Sequence, residues 1–355
     1  SFQQGGGNAG RVVSFRTHSN NLNLNSLRCF SVSSSKNMKL LQFTTSSSPC
    51  DVRVGYLDGN NVVDINKADP SLSTTLLQIL QKNQLQKVIQ LNSEGKKHPT
   101  MSLLEVQLQA PITGMDKVLC IGLNYKDHCD EQHLTPPPVP MIFNKFPSTV
   151  VVGPSQPVRL RTKVTQVTHL KESIDSTIST ICNLCELTYL FQKVDWEVEL
   201  VVVIGKQASF IKAADAYNYV AGYTIAQDIS ARDWQKERNA GQFLLGKAMD
   251  TFCPIGPWMT TADEIPNPEC LSISCSLNGV LKQKSRTDQL VHKIPDVLER
   301  ITSVMTLLPG DILLTGTPGG VGMYRNPPEY LKPGDVLTNE IEKIGVLEVK
   351  IVDFK

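Results

Sequence analysis

Along most of the chain, apolar residues either alternate with polar ones or come in short unbroken runs. Met38-Lys-Leu-Leu-Gln-Phe43 opens the patterned region as a strand. From Val52 to Ile65 the order is strand, Asp58-Gly59-Asn60 turn, strand, which predicts a hairpin. Leu72, Leu76 and Leu80, then Leu85, Val88 and Ile89, recur at helical spacing and predict an amphipathic helix or a pair of them. Leu104, Val106 and Leu108 alternate as one more strand before Pro111. Residues 38–114 therefore read as a small N-terminal α+β domain.

From residue 118 the apolar runs become unbroken. Val118-Leu-Cys-Ile-Gly122 and Glu199-Leu-Val-Val-Val-Ile-Gly205 have strand length and the composition of strands covered on both faces. Val220 to Ile225, and the Leu271 to Leu277 alternation closed by Asn278-Gly279, add further strands. Pro-Gly-Asp at 309–311 and again at 333–335 opens a strand as a turn would. Helical spacing is confined to 212–219, 231–238 and 294–305. Many short strands with few helices predict an α+β, β-rich fold for residues 115–355. Residues 160–193 are rich in Thr, Ser, Leu and Ile without a clean period. They read as a surface insertion or a gene-model error, because so long a loop is unusual inside a compact domain.

Composition acts mainly by exclusion. The 355 residues carry 35 Lys plus Arg against 34 Asp plus Glu, a net charge of +1, so no basic footprint for nucleic acid is present. No apolar run approaches the roughly 20 residues of a membrane-spanning helix, and no membrane partner is expected. The nine cysteines are odd in number and scattered, which predicts reduced thiols and no disulfide framework. Cys182-Asn-Leu-Cys185 is the one CxxC, and it lacks the second ligand pair that zinc would want. Residues 1–37 carry Arg11, Arg16, Arg28 and Lys36 amid Ser, Asn and Gly, and no acid precedes Asp51. That is the composition of a mitochondrial transit peptide, with a mis-assigned start as the alternative.

The chemistry concentrates in five places. In Asp195-Trp-Glu197-Val-Glu199 the two glutamates share one side of a strand, where they repel unless a cation joins them; the alternative is a solvated edge strand. Asp228 follows the strand Tyr223-Thr-Ile-Ala-Gln227. If a helix begins there, Asp228, Arg232 and Gln235 fall at i, i+4 and i+7 on one face, and Asp228 alone would serve as its N-cap. Three carboxylates make a hard oxygen set suited to Mg²⁺ or Mn²⁺. Lys247, in a Gly-lined segment, is either a snorkelling surface side chain or a charge partner and proton donor beside an enolate. His128 and Glu131, three apart, offer a base and its orienting carboxylate on one helical turn, or merely a surface turn. Thr315-Gly-Thr317-Pro-Gly-Gly-Val-Gly322 is no P-loop, since no Gly-Lys-Ser/Thr follows. Its glycines would let backbone approach a small ligand, with the Thr317 hydroxyl directed at it.

Together these segments resemble the fumarylacetoacetate hydrolase superfamily. The resemblance is carried by Gly122-Leu-Asn-Tyr-Lys-Asp-His128, Asp195-Trp-Glu-Val-Glu-Leu200, Gln227-Asp-Ile-Ser-Ala-Arg-Asp233, Gly246-Lys247, Cys253-Pro-Ile-Gly-Pro257 and Thr315-Gly-Thr-Pro318. It covers residues 115–355 apart from the 160–193 stretch, and weakly residues 38–114. It implies a mixed β-roll catalytic domain, a homodimer, and a mitochondrial matrix location. It further implies Mg²⁺ or Mn²⁺ on Glu197, Glu199 and Asp228, an active-site Lys247, and substrate contacts from Arg232, Gln235, Thr317 and Lys145. The His-Glu dyad falls on His128 and Glu131. The departure from the family pattern is the 160–193 stretch, where members have a much shorter link.

The expected chemistry follows from this set. A divalent ion would stabilise the enolate of a 2-oxo acid, and Lys247, lowered in pKa by the ion, would shuttle a proton between carbon and oxygen. Proton movement alone gives keto–enol tautomerisation, with oxaloacetate the expected substrate. Water activated by His128 and Glu131 would give hydrolysis of the C–C bond of acylpyruvates, and loss of CO₂ would give oxaloacetate decarboxylation. The alternative of another class is a catalytically inactive homodimer disabled by the insertion.

Overall fold

A computed structural model of the chain describes residues 38–94, 98–161 and 193–354. The expected presequence, nearly all of the 160–193 stretch and the Cys182–Cys185 pair lie outside the described residues.

Two sheets carry the architecture. The larger has twelve strands, and its path runs through Thr100–Ser102, Asn61–Asp64, Ser48–Asp58, Lys39–Thr45, Cys253–Thr261, Val220–Gln227, Val198–Ile204, Ile312–Leu314, Val118–Gly122 and Met141–Lys145. The smaller has five, in the order Val280–Arg286, Ser272–Leu277, Val336–Ile341, Gly345–Asp353 and Val158–Leu160. Among the described residues, parallel pairing is limited to Ile312–Leu314 on Val118–Gly122, Val158–Leu160 on Gly345–Asp353, and Val151–Val152 on Cys253–Thr261. This is the β-rich α+β fold that the strand pattern predicts. Strands from before and after residue 114 share the larger sheet, joined through Lys39↔Thr260 and Leu40↔Met259.

Local signals explain most elements. Asp58 pairs with Asn61 across Gly59, whose φ of 60° closes the hairpin. The 72–91 pattern resolves into two helices, Leu76–Gln81 and Leu85–Ser93, the first capped by the Thr75 side chain. These helices bury Leu76, Ile79, Leu80 and Val88 in a cluster with Val201 and Val203 of the central strand. The other side of that strand, Val198, Leu200, Val202 and Ile204, packs with Ile273, Leu337 and Leu347 of the smaller sheet. Burial on both faces accounts for the unbroken apolar run. It also buries a carboxylate carried on this strand, such as Glu199.

Two expectations differ from the structure. Leu104 continues no strand: Ser102 and Glu105 form a capping box around the single turn Leu103–Glu105, which leaves Leu104 96% exposed. Side-chain bonds to the backbone override the alternation there. Nor does a helix begin at Asp228. Ser230–Ala231 forms a short strand paired with Val194–Asp195, and a five-residue π-helix, Trp234–Arg238, follows. No helix among the described residues is long and apolar enough to cross a membrane.

Candidate active site

Glu197 and Glu199 flank Val198 at the mouth of the central strand, and strand alternation turns both to one side. The register Val198↔Gln227 brings Asp228 alongside, and the Asp228 N–H donates to the Glu197 carbonyl at 2.8 Å. One carboxylate oxygen from each of Glu197, Glu199 and Asp228 then lies within 4.8 Å of the other two. All three residues are buried, at 5%, 1% and 0% exposure, so neither a solvated edge nor a helix cap describes them.

Cations close around this group. Lys247 is buried, not snorkelled, and its Nζ lies 2.6 Å from both Glu197 Oε2 and Asp228 Oδ2. It arrives on the short helix Leu244–Lys247, packed against the π-helix. A Cβ at Gly246 would meet the Gln235 backbone nitrogen at 2.6 Å, so glycine is what permits the approach. Lys145 Nζ lies 2.6 Å from the other Asp228 oxygen and donates to the carbonyls of Ile229 and Phe252. Arg232 reaches Glu197 Oε1 at 2.7 Å, Gln235 Oε1 at 2.9 Å and Asp195 Oδ2 at 2.9 Å. Asp228, Arg232 and Gln235 do converge, through sheet pairing rather than a shared helical face.

Four buried carboxyl groups (Asp195, Glu197, Glu199, Asp228) thus face three buried cations (Lys145, Arg232, Lys247). The imbalance appears in the titration of the group. Burial raises the Glu199 carboxyl well above its ordinary range, and the neighbouring Asp228 and Glu197 charges add to that. Burial also works to raise Glu197, but Lys247 and Arg232 overcome it and hold the carboxyl below its ordinary value. Burial opposes the charge on Lys247, yet Asp228 and Glu197 outweigh it, so its pKa lies above the ordinary value. Three hard oxygen donors held together, with like charges left to repel, fit a divalent cation of the Mg²⁺ or Mn²⁺ kind.

The second group of polar residues lies on the helix Lys126–Glu131. His128 Nδ1 is 2.6 Å from Glu131 Oε1, and Glu131 Oε2 accepts the Gly320 N–H at 2.7 Å. Asp127 accepts the Gly319 N–H and the Ser285 hydroxyl. The glycine-rich turn therefore binds carboxylates with its backbone amides, and Gly316 N likewise donates to Glu199 Oε2 at 2.6 Å. The Thr317 hydroxyl donates to the Val198 carbonyl and accepts from Gln283.

Three supporting residues escaped the sequence reading. Asp195, fully buried, accepts the N–H groups of Trp196, Gly322 and Met323 and so ties Arg232 to the glycine-rich turn. Gln227 Oε1 accepts the Glu197 N–H at 2.7 Å, and Gln283 Oε1 accepts the Val198 N–H at 3.1 Å. Two consecutive amides of the ligand strand are thus held by glutamines, one from each sheet. The available signal was a polar residue at an inward strand position, as Gln283 is opposite Cys275. Both ends of the 160–193 stretch are also held, since Leu160 accepts from the Phe354 N–H and Lys193 from the Arg232 N–H.

Residues 117–352 match the family model described as the C-terminal part of fumarylacetoacetate (FAA) hydrolase. A mitochondrial oxaloacetate tautomerase of Xenopus laevis is 42% identical over 327 residues, spanning 92% of this chain and 93% of that protein. A human mitochondrial oxaloacetate tautomerase is 41% identical over 90% of this chain and 93% of its own length. Among solved structures, a fumarylacetoacetate hydrolase from Exiguobacterium antarcticum superposes with a TM-score of 0.69 at 29% identity, covering 89% of this chain and all of that one.

Proposed function

Because the chain belongs to the fumarylacetoacetate hydrolase family, we propose that it is a Mg²⁺- or Mn²⁺-dependent enzyme acting on small 2-oxo acids through an enolate, with oxaloacetate keto–enol tautomerisation as its reaction. The observation that carries this is the buried triad of Glu197, Glu199 and Asp228 with Lys247 Nζ 2.6 Å from two of its members. Tautomerisation needs charge stabilisation on oxygen and one mobile proton, and this arrangement offers both. A divalent ion held by Glu197, Glu199 and Asp228 would supply Lewis-acid stabilisation of negative charge on the substrate oxygen.

The chain's own residues do the rest. Lys247, kept charged by its carboxylate partners, holds the proton that passes between carbon and oxygen. Arg232 and Gln235, linked to each other, orient the substrate carboxylate. Lys145 and Thr317 support the ligand strand and Asp228 instead of touching substrate. The low exposure of the whole cluster keeps water from the enolate. Residues 38–114 lend strands and helices to the sheet and core that support the catalytic part, 115–355. A homodimer in mitochondria completes the reading, supported by the family resemblance, the 1–37 composition and the mitochondrial names of the relatives.

The test is ultraviolet decay of enol-oxaloacetate with Mg²⁺, against EDTA and Glu197→Ala controls. Metal-dependent enol loss without pyruvate release is expected. No acceleration by the metal-loaded wild type sinks the reading. The His128–Glu131 pair favours a second reading, C–C hydrolysis of acylpyruvates or decarboxylation of oxaloacetate, which pyruvate release would report.

A further inference from the structure

The base of the His128–Glu131 pair is occupied. Glu131 Oε1, a carboxylate oxygen 2.6 Å from Nδ1, only accepts, so Nδ1 of the neutral ring carries the proton and Nε2 is left as the basic nitrogen. That nitrogen lies 2.9 Å from the side-chain nitrogen of Gln132, which donates to it. The amide is held in this sense from its other end. Gln132 Oε1 accepts the Tyr324 hydroxyl at 2.8 Å, and the Tyr324 oxygen in turn accepts from the Lys236 ammonium, which also lies 5.0 Å over the tyrosine ring. The Tyr324 ring stands edge-on to the imidazole, with centroids 6.3 Å apart. A directed chain of hydrogen bonds therefore starts at Lys236 on the π-helix and ends on the lone pair of His128. Outside it, a cavity of about 470 Å³ opens between Glu131, Tyr324 and the 325–329 segment, so water has room beside the pair and no free base to meet.

We propose that Gln132, clamped by Tyr324, caps Nε2 of His128 and thereby sets the reaction specificity of this site. This rests on the tautomerase reading. With the cap in place, proton transfer at Lys247 proceeds and water activation is suppressed. In the suppressed reaction, water would give a proton to His128 Nε2 while its oxygen bonds to the acyl carbon of an acylpyruvate. The C–C bond to the methylene would then break with its electron pair left on the pyruvate enolate. The proton on His128 would return to the enolate carbon, giving a carboxylic acid and pyruvate. Gln132 is a positioning residue in this scheme, acting only through the histidine.

The test uses the full chain with Mg²⁺ and acetylpyruvate, reading pyruvate release by a coupled assay in wild type, Gln132→Met and Tyr324→Phe. Gln132→Met keeps the side-chain length and removes both polar ends; Tyr324→Phe removes one oxygen and frees the amide. The expected result is a rise in kcat for pyruvate release of about tenfold or more for Gln132→Met. A smaller rise is expected for Tyr324→Phe, and both should vanish when His128→Asn is added. An enzyme loosened without a specific cap would not need His128 for the gain. Unchanged pyruvate release in both variants, or a gain that survives His128→Asn, overturns the proposal. Should Gln132→Met fail to fold, Tyr324→Phe decides alone. Enol-oxaloacetate decay in the same wild-type sample tests the tautomerase reading separately, so each idea fails on its own measurement.

Discussion

The carboxylate triad and the histidine pair lie near one another but are built on different principles. Glu197, Glu199 and Asp228 are fixed by the register of two central strands; all are buried, and Glu197 and Asp228 are paired with lysine or arginine. His128 and Glu131 sit on a six-residue helix and are held by amides of the glycine-rich turn and by neutral side chains. The first group is rigid because moving it would break a sheet. The second is held by side-chain hydrogen bonds and one turn amide rather than by a sheet. A site with both has a permanent place for a cation and enolate, and a separate, tunable place for water.

The largest effect that would break this contrast is at Asp228. Its two oxygens hold Lys145 and Lys247, so Asp228→Ala leaves two buried ammonium groups short of a partner. A loss of about 3–5 kcal/mol is expected by urea denaturation, together with loss of the Mg²⁺-induced rise in Tm. A folded variant of wild-type stability would show that the triad is not structurally embedded. A middle-sized effect is expected from Gln283→Leu, which releases Val198 N–H and the Thr317 hydroxyl while leaving every carboxylate in place. Mg²⁺ affinity, followed by thermal shift against concentration, should weaken by about 10–100-fold. Unchanged affinity would mean that register alone aligns the ligands. The smallest is Asp127→Ala on the helix side, where two contacts to Gly319 and Ser285 are lost. About 1 kcal/mol of stability should go, with the Mg²⁺ response intact. If that response weakened too, the two regions would not be separable.

How legible these features were depends on how far their causes reach along the chain. The Asp58–Asn61 hairpin, the doubly buried Val198–Ile204 strand and the paired helices over 76–93 rest on local turn chemistry and apolar period, and all were readable. The same-side placement of Glu197 and Glu199 was readable too, because alternation is a two-residue property. The arrangement around Asp228 was not. The spacing of Asp228, Arg232 and Gln235 suits a helix, yet Val194–Asp195 claims Ser230–Ala231 for a strand and the helical run starts only at Arg232. Tertiary pairing overrode a local period.

The residue types of the site, their order and the acid pair at the strand mouth are properties of the sequence by itself, since they follow from composition and short-range geometry. Whether Lys247 faces solvent or two carboxylates, where the Thr317 hydroxyl turns, and which amide rests on His128 were decided only by tertiary structure. Each of those depends on a partner 4 to 119 positions away in the chain. The physical reason is that hydrogen bonds and charge pairs are short in space and indifferent to sequence separation. Apolar period reports burial of a segment, but only the packed sheets determine what a buried polar group meets.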